Sequence, residues 1–334
     1  MVRENLNMFK LKSLYIQVLF SFSFLFSNGP FFFDSLTEQD GLRNGPDYSE
    51  ALLYYPIDAI SLIPVVVLVP GFTNSISAIE DWGPYLASYG YATFLVNVNS
   101  FFEPPTSRAA AILDGIVTMK LENERLGSPL FQNLNINDFT AGGYSMGGGG
   151  AQIAAQQDSS IKAVITLAAW LDNPSVTINN NTPVFFISGE FDNVAPNDYH
   201  TNIFYNNTPE TTDKILYEIS GAYHNTVTSP YNDQEMGLKT IFWIEQYILD
   251  DFYNCDSLIT QPPTASEFFT NIECPIISTG DITQDGITNI LDLVLLISWV
   301  MYSNIPTDLE MSIGDMTKDG VLDIFDIIFL ADMI

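Results

Sequence analysis

Seven short apolar runs, separated by longer mixed stretches, set the rhythm of this 334-residue chain. Ile63–Val69 is an unbroken β-branched and leucine run, the pattern of a strand buried on both faces. Residues 51–56, 91–98, 138–142, 161–168, 183–188 and 214–219 read as further strands. Between them lie helical stretches. Residues 82–89 end at Gly90, residues 107–125 follow Pro104-Pro105 with Ser107 as a candidate N-cap, and a helix opens at Ala151. Residues 234–250 form the last long helix of this part. Strands alternating with helices predict an α/β fold: a doubly wound, mostly parallel sheet covered on both faces.

From Gly280 the pattern changes. Asp281, Thr283, Asp285, Asn289 and Asp292 offer side-chain oxygens at positions 1, 3, 5, 9 and 12 of a loop, with the Ile287 carbonyl at 7 and Gly286 at 6. Asp315, Thr317, Asp319, Asp323 and Asp326, with the Val321 carbonyl and Gly320, repeat the arrangement 34 residues later. This is EF-hand-like calcium spacing, with Asp in place of Glu at position 12. Each loop feeds an apolar helix, over 290–301 and 324–333. The expected tail is a small all-α domain holding two Ca2+ ions; a merely acidic tail is the plainer alternative.

Composition narrows the class. Hydrophobic residues make up 47%, ample for a core. The net charge of −29 opposes nucleic-acid binding, which needs a basic surface. Arg3, Lys10 and Lys12 precede an apolar run over 14–26, too short to span a bilayer comfortably. That reads as a secretory signal over 1–27, with a retained anchor as the alternative and Met8 as an alternative start. Its removal takes away three basic residues and one acid, leaving −31. No other stretch could cross a membrane, so the expected protein is extracellular, with no membrane contact after cleavage. Cys255 and Cys274 are the only cysteines. In a secreted protein an isolated pair reads as one disulfide, against two buried free thiols.

The candidate chemistry centres on Gly143-Tyr144-Ser145-Met146-Gly147, a G-x-S-x-G nucleophile elbow set between a strand and a glycine-rich helix opening. With the alternating elements it gives the α/β-hydrolase arrangement, whose triad runs Ser, acid, His. Only His200 and His224 exist. His224 lies just past the last strand, where such sheets place their sites, and His200 reads as a surface residue. Past the strand over 183–188 stand Glu190 and Asp192, with Asp198 further on. Asp192 is the expected acid, Glu190 the second candidate and Asp198 the third. The Met146 N–H at the helix start and the Phe72 N–H after Ile63–Val69 are the expected oxyanion donors.

These pieces occur in order: Tyr54-Tyr55-Pro56, Pro70-Gly71-Phe72-Thr73, Pro105-Thr106-Ser107-Arg108, the elbow followed by Gly148-Gly149-Gly150, the run from Gly189 to Pro196, and Gly221-Ala222-Tyr223-His224. Together they resemble the bacterial cutinases and poly(ethylene terephthalate) hydrolases over roughly residues 40–276. The resemblance implies a triad of Ser145, Asp192 and His224, oxyanion donors at Phe72 and Met146, and a Cys255–Cys274 disulfide. It places Trp170 beside the scissile ester. Phe72, Tyr144 and Trp170 are then the expected substrate-binding aromatics of an open cleft without a lid. The chain departs from the family at Tyr144, usually His or Trp, at Phe72, often Tyr, and at Ser100-Phe101-Phe102-Glu103, usually Thr-Leu-Asp-Gln.

The duplicated tail resembles a type I dockerin, which implies docking to a cohesin on a scaffold or cell surface. The expected organisation is a signal over 1–27, a catalytic domain over 28–275, a linker over 276–279 and a dockerin-like domain over 280–334. The expected function is a serine ester hydrolase acting on polymeric or hydrophobic esters, needing no cofactor for catalysis. A carboxylesterase or lipase on soluble or plant-wall esters is the alternative. A scaffold-binding module with an idle hydrolase fold is a third reading, opposed by the complete triad.

Overall fold

The Ile63–Val69 run forms strand β3, with every residue buried. Its alternation feeds two cores. Val65, Val67 and Val69 join one apolar cluster, while Val66 and Leu68 join another on the opposite face. A strand that is hydrophobic throughout is the residue-level reason for a sheet with helices on both sides. The computed structural model describes residues 29–59, 62–175, 181–275, 279–302 and 308–334. The expected signal over 1–27 lies outside the described residues, as does most of the expected linker.

The other strands are β1 (Phe33–Leu36), β2 (Glu50–Pro56), β4 (Ala92–Asn97), β5 (Leu134–Tyr144), β6 (Ile161–Leu167), β7 (Val184–Gly189), β8 (Lys214–Ile219) and β9 (Ala265–Thr270). They form one sheet in the order β1-β2-β4-β3-β5-β6-β7-β8-β9. Pairing from β4 through β8 is parallel, while β1 with β2, β2 with β4 and β8 with β9 are antiparallel. The result is a mixed, mostly parallel α/β sheet, consistent with an α/β-hydrolase. The edge strands β1 and β9 escape a reading by pattern because they are half-exposed and carry no continuous apolar run.

Helices α1 (Trp82–Ser88), α2 (Pro105–Glu124), α3 (Met146–Ala155), α4 (Thr201–Asn207), α5 (Gln234–Ile248) and α6 (Cys255–Ile259) cover the sheet. Ile112, Ile116 and Met119 of α2 and Ala151 and Ala154 of α3 pack in the first core. Trp82 and Tyr85 of α1 and Ile241, Trp243 and Ile244 of α5 pack in the second. Ser107 does not cap α2. The helix begins two residues earlier, with Pro105 at its first position and Pro104 as the cap residue. A proline there loses no hydrogen bond and already has helical φ, so it sets the start more strongly than a serine two residues on.

Cys255 and Cys274 form a disulfide, closing a loop of sequence separation 19 that carries α6 and β9. Lys239 of α5 reaches the same region. Its buried ammonium donates to the carbonyls of Ser257, Leu258 and Thr260 at the end of α6. Burial draws its pKa down to about 8.

The C-terminal stretch forms α7 (Ile290–Tyr302), α8 (Asp308–Gly314) and α9 (Ile324–Met333). They share a small core of Ile282, Leu296, Ile313, Met316 and Leu330. Among the described residues no helix is long and apolar enough to cross a membrane.

Replacing both cysteines by serine removes a loop constraint worth ~3 kcal/mol in the chain-entropy model. Thermal melts followed by circular dichroism should show a loss of roughly 6–12 °C, with hydrolysis of a short ester at 25 °C retained. An unchanged melting temperature would show that the packing of α6 and β9 holds without the bridge.

Candidate active site

The elbow is built by close approach. β5 ends at Tyr144 and α3 begins at Met146, so Ser145 alone makes the turn. Its backbone sits at φ 54°, ψ −118°, a region that non-glycine residues rarely occupy. Three bonds hold it there: Ser145 N–H donates to Leu167 O at 2.8 Å, and Ser145 O accepts from Trp170 N at 2.9 Å and Gly149 N at 3.2 Å. A Cβ on Gly143 would lie 2.5 Å from the Gly147 carbonyl carbon, and one on Gly147 would lie 2.2 Å from Val69 O. Neither position accepts a side chain without opening the turn.

The acid and the imidazole come from the ends of β7 and β8. His224 Nδ1 lies 2.7 Å from Asp192 Oδ2. The other carboxylate oxygen, Oδ1, accepts from the backbone N–H groups of Val194 at 2.9 Å and Ala195 at 2.8 Å. Asp192 is thereby fixed on both oxygens, and His224 keeps Nε2 for other work. Tyr144, the residue before Ser145, packs its ring 4.9 Å from that of His224. Ser145, Asp192 and His224 therefore follow the C-terminal ends of β5, β7 and β8, where parallel sheets place their sites. The other carboxylates point elsewhere. Glu190 accepts from Ser220 Oγ and Gly221 N, and exposed Asp198 meets Asn202.

The loop after β3 reaches the nucleophile. A Cβ on Gly71 would lie 2.9 Å from Ser145 Cβ, so Phe72 follows a residue in direct contact with it. Among the described residues the Phe72 N–H has no protein acceptor. Met146 is the first residue of α3, where a helix N–H has no carbonyl of its own helix to bond.

The aromatics divide. Phe72 is 43% exposed and packs edge-on against Phe102, 5.7 Å away. Trp170 is half-buried. Tyr144 differs from the expectation of an open-cleft residue: it is only 6% exposed, because its ring fills the space beneath His224. Burial, with the Asp192 charge adding to it, pushes the Tyr144 hydroxyl pKa upward, so it stays neutral. Exposed Phe102, Phe191 and Tyr223 were not singled out by sequence reasoning as binding residues. Phe191 and Tyr223 pack 6.0 Å apart, and each immediately precedes Asp192 or His224. Adjacency to the two site residues was the available signal.

In the tail loops the donor chemistry suits calcium: carboxylates, a hydroxyl and a backbone carbonyl in each, with an amide at Asn289 in the first, supply hard oxygens. Gly286 and Gly320 take left-handed φ of 83° and 84°, which the turn at position 6 requires. Asp281 accepts from the N–H groups of Asp285 and Gly286, and Asp292 from Thr283 N and Oγ1 and Asn289 N. The same bonds recur 34 residues on, with Asp315 and Asp326 as acceptors. Among the described residues no three acidic, His or Cys side chains are gathered closely enough to share an ion. In both loops the first and last aspartates are engaged by backbone amides.

His200 is not the surface residue the sequence suggested. It is 7% exposed, with Trp170 5.8 Å away on one side and Phe204 6.1 Å on another. It opens α4, a short helix without a clear apolar stripe in sequence, and α4 packs back on β7 and β8. Its Nδ1 is buried without a partner among the described residues. Burial lowers its pKa from 6.5; the Asp192 charge opposes this and His224 adds to it. The unfolded chain therefore takes up a proton near pH 6.5 that the folded protein resists. This contribution to stability is complete above pH 6.5 and is lost as pH falls below it. His200→Phe should flatten the fall of melting temperature between about pH 6.5 and 5. Parallel curves for the two proteins would show that His200 carries no such linkage.

Comparison with known proteins gives the family. The model of the PET hydrolase-like (PETase) family matches residues 24–275. A cutinase of Thermobifida alba is 29% identical over 244 residues, 71% of this chain and 76% of the relative. Lipase 1 of a Moraxella species is 29% identical over 234 residues, 67% of each chain. A bis(hydroxyethyl) terephthalate hydrolase of Streptomyces coelicolor is 30% identical over 209 residues, 60% of this chain and 62% of the relative. With its strained serine elbow and its Asp192–His224 pair, the chain belongs to the PET hydrolase-like family of carboxylic ester hydrolases.

Proposed function

We propose that this protein is a secreted polyester hydrolase of the cutinase type that works through an acyl-enzyme. The observation that carries the reading is the 2.7 Å Asp192–His224 contact beside the Ser145 elbow. His224 Nε2 takes the Ser145 proton, and Oγ attacks the ester carbonyl carbon. Asp192 holds the ring and stabilises the imidazolium. The N–H groups of Phe72 and Met146 bind the oxyanion. The imidazolium then gives its proton to the leaving alkoxide, and the acyl group stays on Ser145. Water, deprotonated by His224, attacks the acyl-enzyme and releases the acid, restoring the serine. The exposed aromatics Phe72, Phe102, Phe191 and Tyr223 supply apolar surface beside the site, with the half-buried Trp170, suited to a polymer chain.

A second reading is a carboxylesterase acting on soluble or plant-wall esters, favoured by the similarity to the Moraxella lipase. A substrate panel separates the two: cutin, polycaprolactone, an aromatic polyester, tributyrin and acetylated xylan. The polyester reading expects release of soluble products from the polymers, and activity confined to tributyrin or acetylated xylan would replace it. Ser145→Ala should abolish all of it, by analogy a loss on the order of a million-fold. Residual activity within tenfold of wild type would remove Ser145 from the mechanism.

The tail is proposed to be a dockerin-like module that binds two Ca2+ ions and docks to a cohesin on a scaffold or cell surface. The repeated hydrogen bonds support a duplicated unit. So do the exposed apolar residues in register: Ile290, Leu291 and Val294 on α7, and Ile324, Phe325 and Ile328 on α9. Metal binding would offset carboxylate repulsion and add its free energy to folding. Chelation should unfold residues 280–334 and leave the ester hydrolase active. Identical circular dichroism and protease resistance of the tail with and without chelator would count against it.

A further inference from the structure

Among the buried charges that the mechanism above does not use, one lies beside the site. Arg108 lies on α2 with 0% exposure, and among the described residues its guanidinium forms no salt bridge with a carboxylate. Burial lowers its pKa to about 10, so it remains a cation at neutral pH. Placing an unpaired cation in the interior is costly unless its donors are satisfied. Here every acceptor is a backbone carbonyl. Nε donates to Pro70 O at 3.0 Å, Nη2 to Gly71 O at 2.9 Å and Phe101 O at 3.3 Å, and Nη1 to Glu103 O. The four carbonyls belong to two loops, the one after β3 that ends beside Ser145 and the one that leads into α2.

Among these carbonyls Gly71 O has a particular place. The Gly71 C=O and the Phe72 N–H are two ends of one planar trans peptide, so fixing the carbonyl fixes the opposite direction of the N–H. A cation on the carbonyl oxygen also withdraws electron density through the amide and makes the N–H a stronger donor. The Pro70 carbonyl is held by the same guanidinium, which leaves this peptide plane little freedom to rotate. The second donor is tied in by packing. A Cβ on Gly150 would lie 2.7 Å from Arg108 Cβ, so α3, which begins at Met146, rests directly on the arginine stem.

We infer that Arg108 is a positioning residue of the oxyanion hole: its guanidinium orients and polarises the Gly71–Phe72 peptide from behind. This rests on the proposed role of the Phe72 N–H. A neutral or single-headed side chain cannot reproduce the arrangement, because the fork holds successive carbonyls at once.

The test uses Arg108→Gln and Arg108→Lys in the full-length protein, with a p-nitrophenyl ester and a boronic acid that forms a tetrahedral adduct on the serine. Losing a whole oxyanion donor costs about 100- to 1,000-fold in kcat. A misoriented donor should cost about 30-fold or more in the glutamine variant, with KM within about threefold. Boronate affinity should fall in step with kcat/KM, and the lysine variant should lie between glutamine and wild type. A purely structural role would lower the melting temperature while leaving kcat per folded molecule and boronate affinity within about threefold of wild type, and that result would overturn the inference. Should Arg108→Gln not fold, Arg108→Lys carries the same comparison. Ser145→Ala is the parallel control. An active alanine variant would sink the site itself, whereas an inactive one beside unimpaired Arg108 variants would sink only the role of Arg108.

Discussion

The backbone of Ser145 is the constraint on which the rest of the site depends. At φ 54°, ψ −118° it is strained, and strain persists only where the surroundings over-determine it. Here β5 and α3 meet across Gly143 and Gly147 with no room for a Cβ, while Leu167, Trp170 and Gly149 bond the serine backbone. The consequence is functional. The turn puts the serine at the C-terminal edge of the sheet, starts α3 immediately after it, and lets the Gly71 loop press against it. Relaxing the turn would misplace the hydroxyl and both candidate oxyanion donors together.

Around that turn, polar groups are satisfied in ways that fix orientation. Asp192 has one oxygen on two backbone amides and the other on His224, so the imidazole tautomer and ring plane follow from the loop after β7. Arg108 bonds only carbonyls, and Lys239 does the same at the end of α6. In a chain of net charge −29, these buried cations are used to hold backbone rather than to neutralise acids. A backbone carbonyl is a weaker but more rigid partner than a carboxylate on a flexible stem. This suits a role in which geometry matters more than charge balance.

The tail follows a different economy. Its core is small, and each loop curls around its own first and last aspartates. The recurrence of these bonds at a spacing of 34 residues marks one unit used twice. Two turns of the same construction, each feeding an apolar helix, leave matching hydrophobic residues exposed on both helices.

The buried strands were legible in the sequence because a strand covered on both faces needs uninterrupted apolar residues, as in Ile63–Val69. The elbow was legible because its glycines are sterically required, and the duplication in the tail because its polar residues recur at a fixed spacing. The half-exposed edge strands β1 and β9 left no such pattern. The sequence ranked Asp192 ahead of Glu190 and Asp198, all three following the same strand within nine residues, and the 2.7 Å approach to His224 is made by Asp192. Burial was likewise invisible for His200, Tyr144 and Arg108, because a polar or aromatic residue reads as exposed until its neighbours are known. Local sequence fixes turns and periodicity, whereas the surroundings of a side chain are set by elements distant along the chain. Tertiary structure alone therefore decided that His200 is buried and what Arg108 holds in place, whereas His224 was already the expected partner of the carboxylate from its position past β8.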